Sequence, residues 1–123
     1  MKYAIAITAA LALSACAIIP VPSETTVYNL KSAYGIALKV AVAYRETPLC
    51  ANGAHFTLLL PCHEKATVAR IIVYSGKAKA ALAEAERLAA TSPNGLGVID
   101  AIAAARDAVD GFKAITKQAK EPT

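Results

Sequence analysis

Three stretches whose apolar residues recur every three and four positions constrain this chain more than any other feature. Such spacing gathers apolar side chains on one face of an α-helix. In residues 24–46 the stripe is Val27, Leu30, Tyr34, Ala37, Ala41 and Tyr44, with Ser32, Lys39 and Glu46 on another face. Pro48 ends it, because the residue before a proline is driven out of the helical region. Residues 63–90 repeat the pattern through Val68, Ile71, Ala78, Leu82, Ala85 and Ala89, with Ser75 in the same stripe. Ser92-Pro93-Asn94-Gly95 is a strong break and turn. Residues 96–119 carry a third stripe of Ile102, Ala105, Val109 and Phe112, with Ala108 and Ile115 beside it.

Ser23 suits a helix N-cap, and Glu24 falls in the first turn, where the helix dipole favours an acid. Glu84 and Arg87 are placed to pair across one turn. Gly35, Gly76 and Gly111 fall one in each helix, where each costs up to ~1 kcal/mol against alanine. Close helix contact is the expected reason, with a kink as the alternative. Residues 120–123 are expected to fray.

Alanine is very frequent and tryptophan is absent, a composition suited to helices that approach closely. The fold class expected is therefore all-α, an up-down-up three-helix bundle with helices ~35–40 Å long. It forms one domain with a modest core.

The N-terminus carries a separate signal. Lys2 precedes an apolar run from Tyr3 to Leu13, broken only by Thr8 and followed by Ser14, Ala15 and Cys16. This is the layout of a secretory signal peptide. Leu13-Ser14-Ala15-Cys16 resembles the bacterial lipobox. That resemblance implies a diacylglyceryl group on the Cys16 sulfur, cleavage before Cys16, and acylation of the new amino terminus. Several acyl chains anchor stably where one binds only reversibly. Ala17 rather than aspartate after the cysteine implies the outer membrane by the enteric rule.

Two other outcomes remain open. Cleavage after Ala17 would release a soluble chain, and an uncut segment 3–19 would be a marginal membrane helix. The expected organisation is a signal peptide over 1–15, a lipidated cysteine and linker over 16–23, a bundle domain over 24–119 and a tail over 120–123. Pro20 and Pro22 favour an extended linker. The first helix then leaves the membrane, the loop 47–62 lies at the far end, and the turn at Pro93-Asn94-Gly95 lies near the bilayer.

The formal net charge is +4, from scattered basic residues without arginine-rich runs or basic-aromatic interleaving. No nucleic-acid partner is expected. Cys50 and Cys62 are the pair left beside Cys16, and an even pair in an exported chain reads as a disulfide. The competing reading is a zinc site of Cys50, His55, Cys62 and His63. Its spacing matches no two-plus-two pattern, and an oxidising compartment consumes the thiols. Cys62-His63 lies too far from Cys50 for haem attachment. No Ser-His-Asp set or paired carboxylates stand out, so no catalytic residue, metal or cofactor is assigned. The apolar loop stretch Phe56, Thr57, Leu58, Leu59, Leu60 has two readings: a cap on the end of the core, or an exposed contact for a protein partner.

The segment Thr26-Val27-Tyr28-Asn29-Leu30-Lys31-Ser32-Ala33-Tyr34-Gly35, followed by Ala43-Tyr44 and Pro48-Leu49-Cys50, resembles small uncharacterised lipoproteins of phages and prophages of alphaproteobacteria. The resemblance covers most of the mature chain and supplies no catalytic residues. It implies a phage-linked setting, such as superinfection exclusion or a lysis accessory. The expected function is thus non-enzymatic: a lipid-anchored periplasmic protein that binds an envelope or phage protein through Phe56, Leu58, Leu59 and Leu60. The alternatives are a small-ligand or metal-binding envelope module, or a secreted structural protein.

Overall fold

The computed structural model describes residues 23–121. Cys16, the expected signal peptide and all of the expected linker but Ser23 lie outside the described residues, as do the last two positions of the expected tail. The described residues form three α-helices: α1 (Ser23–Arg45), α2 (Lys65–Thr91) and α3 (Leu96–Ala119), each packed on the other two. None of the described helices is long and apolar enough to cross a membrane.

Cross-helix contacts fix the directions. Lys31 Nζ near the start of α1 meets Glu86 Oε1 near the end of α2 at 2.9 Å, while Tyr44 at the end of α1 meets Glu64 just before α2. Gly97 lies under Leu88, and Gly111 under the ring of Tyr74. Tyr34 stacks on Phe112 at 5.4 Å between centroids. The helices therefore run up, down and up.

The three- and four-residue spacing holds at the packing level. Val27, Ala37, Ala41 and Tyr44 of α1, Ile71, Ala78, Leu82, Ala85 and Ala89 of α2, and Ala105, Val109, Phe112 and Ile115 of α3 are buried together. Leu30, Tyr34, Val68, Ile102 and Ala108 pack half-buried against them. Phe112, Val98 and Val109 are the largest fully buried side chains. Many of the remaining core positions are alanine, which lets helix backbones approach. Ser75 stays in the apolar stripe because its hydroxyl bonds the Tyr34 hydroxyl at 2.9 Å. Among the described residues no buried side-chain polar atom lacks a partner, as a folded interior requires. The Glu84–Arg87 pair forms, with Arg87 Nε and Nη2 donating at 2.9 and 2.7 Å.

Several expectations are corrected. The second helix starts at Lys65, not at residue 63. His63 is instead paired with Leu49 in an isolated parallel bridge: its N–H donates to Pro48 O at 2.8 Å, and its carbonyl accepts from Cys50 N–H at 2.9 Å. Ser23 lies within the first helix, one residue earlier than expected, a difference within the ordinary spread of helix ends. Val98, Thr116 and Ala119 join the buried face of α3. Close helix contact explains only one of the three helical glycines. A Cβ on Gly111 would stand 3.4 Å from the Tyr74 ring, whereas Gly35 and Gly76 face open space. Past the end of α3, the N–H groups of Lys120 and Glu121 bond Lys117 O and Gln118 O at 3.1 and 3.3 Å.

Candidate functional site

The connection between α1 and α2 is where side chains of different chemistry are brought together. It begins where α1 runs out before Pro48. Thr47 Oγ1 donates back to Tyr44 O at 2.6 Å, turning the chain off the helix. Cys50 and Cys62 then join in a disulfide with Cα atoms 4.9 Å apart. Beside it runs the Leu49–His63 bridge. The His63 ring donates through Nδ1 to Thr47 O at 2.6 Å. These bonds tie the end of α1 to the start of α2 independently of the core.

Tyr44 is the hub of this end. Its ring is buried against Phe56 at 5.9 Å and meets the edge of His63 at 6.3 Å. Its hydroxyl accepts the Glu64 N–H at 3.0 Å. Glu64 is the N-cap residue of α2 and makes no side-chain cap bond, so a tertiary contact supplies a partner just ahead of the helix. The Glu64 carboxylate accepts from the His55 ring through Oε1 and from Thr67 Oγ1 through Oε2, the latter at 3.1 Å. These bonds, His55 first and Thr67 second, hold the Glu64 carboxyl below its ordinary pKa, because they favour the ionised form.

The apolar loop stretch divides into two parts. Phe56 is only 8% exposed and belongs to the core, so the structure corrects its expected role as a surface contact. Leu58, Leu59 and Leu60 are 80%, 93% and 76% exposed. A backbone bend presents them. Leu60 N–H donates to Thr57 Oγ1 at 2.9 Å, and Thr57 N–H to Leu60 O at 3.4 Å. Earlier in the loop, Gly53 takes a φ of +79° in a turn closed by Ala54 N–H to Ala51 O at 2.9 Å, a backbone setting that favours glycine.

The residues weighed as a metal set have other partners. The two sulfurs are bonded to each other, His55 to Glu64, and His63 to Thr47. Among the described residues no group of three histidine, cysteine or acidic side chains is placed to hold a metal ion. A cleft of about 70 Å³ opens among Tyr44, His55, Glu64, Thr67 and Gln118.

A larger trough of about 630 Å³ runs between α1 and α3, lined by Ile36, Ala37, Val40 and Ala114 together with Lys113, Lys117, Lys120 and Glu121, of which Lys117 Nζ and Glu121 Oε1 stand 3.7 Å apart. The sequence carries its signal in lysines spaced by four and three, beside Ile36 and Val40 lying off the core stripe of the first helix. The role of Thr57 has no sequence signal, and neither does the Tyr44 hydroxyl, because both depend on contacts between separate segments.

Comparison with protein-family models, with curated proteins and with solved structures returns no match.

Proposed function

We propose that this chain is a non-enzymatic lipoprotein of the bacterial envelope. It is anchored at Cys16, faces the periplasm, and binds an envelope or phage protein through Leu58, Leu59 and Leu60. The observation that carries the binding reading is the triplet of adjacent leucines, each at least three-quarters exposed on a braced tip. Apolar side chains left in water at a fixed position are the form of a partner contact. Phe56 and the Cys50–Cys62 disulfide hold the tip from beneath, so association need not order a loose loop. The Leu13-Ser14-Ala15-Cys16 run supports the anchor, and Ala17 supports the outer membrane. The resemblance to phage lipoproteins supports superinfection exclusion or a lysis accessory role as the setting.

The test combines two measurements. Intact mass of the chain from host membranes, without reductant, is expected to show a start at Cys16, added acyl mass and an oxidised cysteine pair. A chain cut after Ala17 or retaining Met1 overturns the anchor. Serine at positions 58, 59 and 60 together is expected to leave the thermal midpoint unchanged and abolish co-purification of a partner crosslinked in the host. Loss of folding by that variant would return the leucines to a structural role.

A second reading has its own observation, the apolar trough where Lys113, Lys117 and Lys120 outnumber a single acid, Glu121, which suits a small amphipathic anion. Saturable binding of a fatty acid that is lost in Lys117→Glu would support it.

A further inference from the structure

The opposite end of the bundle carries a different kind of surface. From residue 88 to residue 99 no side chain is ionisable. This stretch contains the whole reversal between α2 and α3. It presents Leu96 at 83% and Ile99 at 61% exposure, on the outward side of the first turn of α3. Tyr28, 72% exposed, stands about two turns into α1 at the same end. The charges of this end, Glu24 in the first turn of α1, Lys31 paired with Glu86, Arg87 and Asp100, all lie on the helices rather than in the reversal. At the other end, by contrast, Arg45, Glu46, His55, Glu64, Lys65, Lys120 and Glu121 all lie at helix ends or in the loop between α1 and α2.

The chain enters α1 at this end, since Ser23 and the reversal lie at the same pole of an up-down-up bundle. Residues 17–22 separate Ser23 from Cys16. At no more than ~3.6 Å per residue, Ser23 stays within roughly 25 Å of the Cys16 α-carbon. The end that the linker holds near the bilayer is therefore the one whose reversal lacks charge.

We propose that this end rests in the membrane interface, with Leu96 and Ile99 below the lipid headgroups and the Tyr28 phenol at headgroup level. The inference rests on the anchor at Cys16. Apolar side chains entering the acyl boundary gain by leaving water. A tyrosine suits the layer above it, because its ring is apolar and its hydroxyl stays hydrated. The flanking charges remain among the headgroups. The bundle then stands upright, and the leucine tip points away from the lipid.

The chain lacks tryptophan, so a single introduced indole is a clean reporter. Leu96→Trp, Ile99→Trp and Leu59→Trp replace exposed side chains. Each is purified from host membranes as the processed protein, with its mass measured in the same sample. Each is then reconstituted into phosphatidylethanolamine–phosphatidylglycerol vesicles, with and without brominated acyl chains. The expected result is blue-shifted, bromine-quenched emission at positions 96 and 99, and water-exposed, unquenched emission at position 59. A lipidated protein whose indoles at 96 and 99 both emit as if in water overturns the proposal and leaves the anchor standing. Quenching at position 59 overturns the upright orientation. A chain without acyl mass overturns the anchor, and the proposal with it.

Discussion

Between α2 and α3 the chain reverses through residues 92–95 with backbone bonds alone: Ser92 N–H to Leu88 O at 2.7 Å, and Gly95 N–H to Ser92 O at 3.0 Å. Between α1 and α2 it takes the much longer path 46–64, stitched by a disulfide, a parallel bridge, and the bonds of Tyr44, His63 and Glu64. A short turn closes two adjoining helices with little surface to spare. A long connection must supply cohesion of its own, and once it does, it can hold side chains that the core does not use. That is how Phe56 is buried while its near neighbours Leu58, Leu59 and Leu60 stay in water.

The strongest way to break the contrast is to remove what both ends share. Phe112 is fully buried and stacks on Tyr34. Phe112→Ala is expected to destabilise by about 3–5 kcal/mol and to unfold the two ends together in urea, followed by circular dichroism and amide exchange. Next comes the double variant Cys50→Ala with Cys62→Ala. Opening a loop of sequence separation 12 is expected to cost roughly 3 kcal/mol in the chain-entropy model. Exchange protection should fall first around residues 46–64 and hold in the 92–95 reversal. Equal loss at both ends would show that the staple acts on the whole bundle.

A smaller effect of opposite sign is expected at Gly35, where a Cβ meets open space. Gly35→Ala should raise stability by up to about 1 kcal/mol, read as a higher urea midpoint with both ends unfolding in the same order as before. The mildest test is acid. The Glu64 carboxyl lies below its ordinary value of 4.5 because of His55 and Thr67. A folded pKa below the unfolded one gives stability that is complete above the unfolded value and is lost as pH falls through the folded value. Glu64→Gln is expected to flatten that acid limb of the midpoint-versus-pH curve. An unchanged limb would assign it to other carboxyls, such as Glu84, which Arg87 also holds low.

The helices were legible in the sequence because their burial is periodic, and period 3.6 survives in a single chain. Legibility ended where position is set by partners far along the sequence. His63 and Glu64 look like helix-opening residues, yet the backbone of His63 is drawn into pairing with the Pro48–Cys50 segment. Val98 escaped because Gly95 and Gly97 stand just before it and obscure where the stripe begins. Gly35 and Gly111 look alike until the neighbour of each is known. Phe56 and the leucines are equally apolar, and outside a regular element no period tells inward from outward. Of the loop, the cysteine pairing could be read in advance from the even count, while the apolar stretch 56–60 left a core cap and an exposed contact both open.

The disulfide makes residues 50–62 a closed ring spliced into the chain. Inside that ring His55 and Phe56 are joined to the helix ends through Glu64 and Tyr44, while Leu58, Leu59 and Leu60 stand out in water. A single peptide-bond cut within it leaves the molecule in one covalent piece. Changes of residue at 58–60 alter what the tip offers without moving the frame that offers it. A protein under pressure to track a changing partner could therefore rewrite that triplet freely, using the bundle as a constant stem and the ring as a replaceable head.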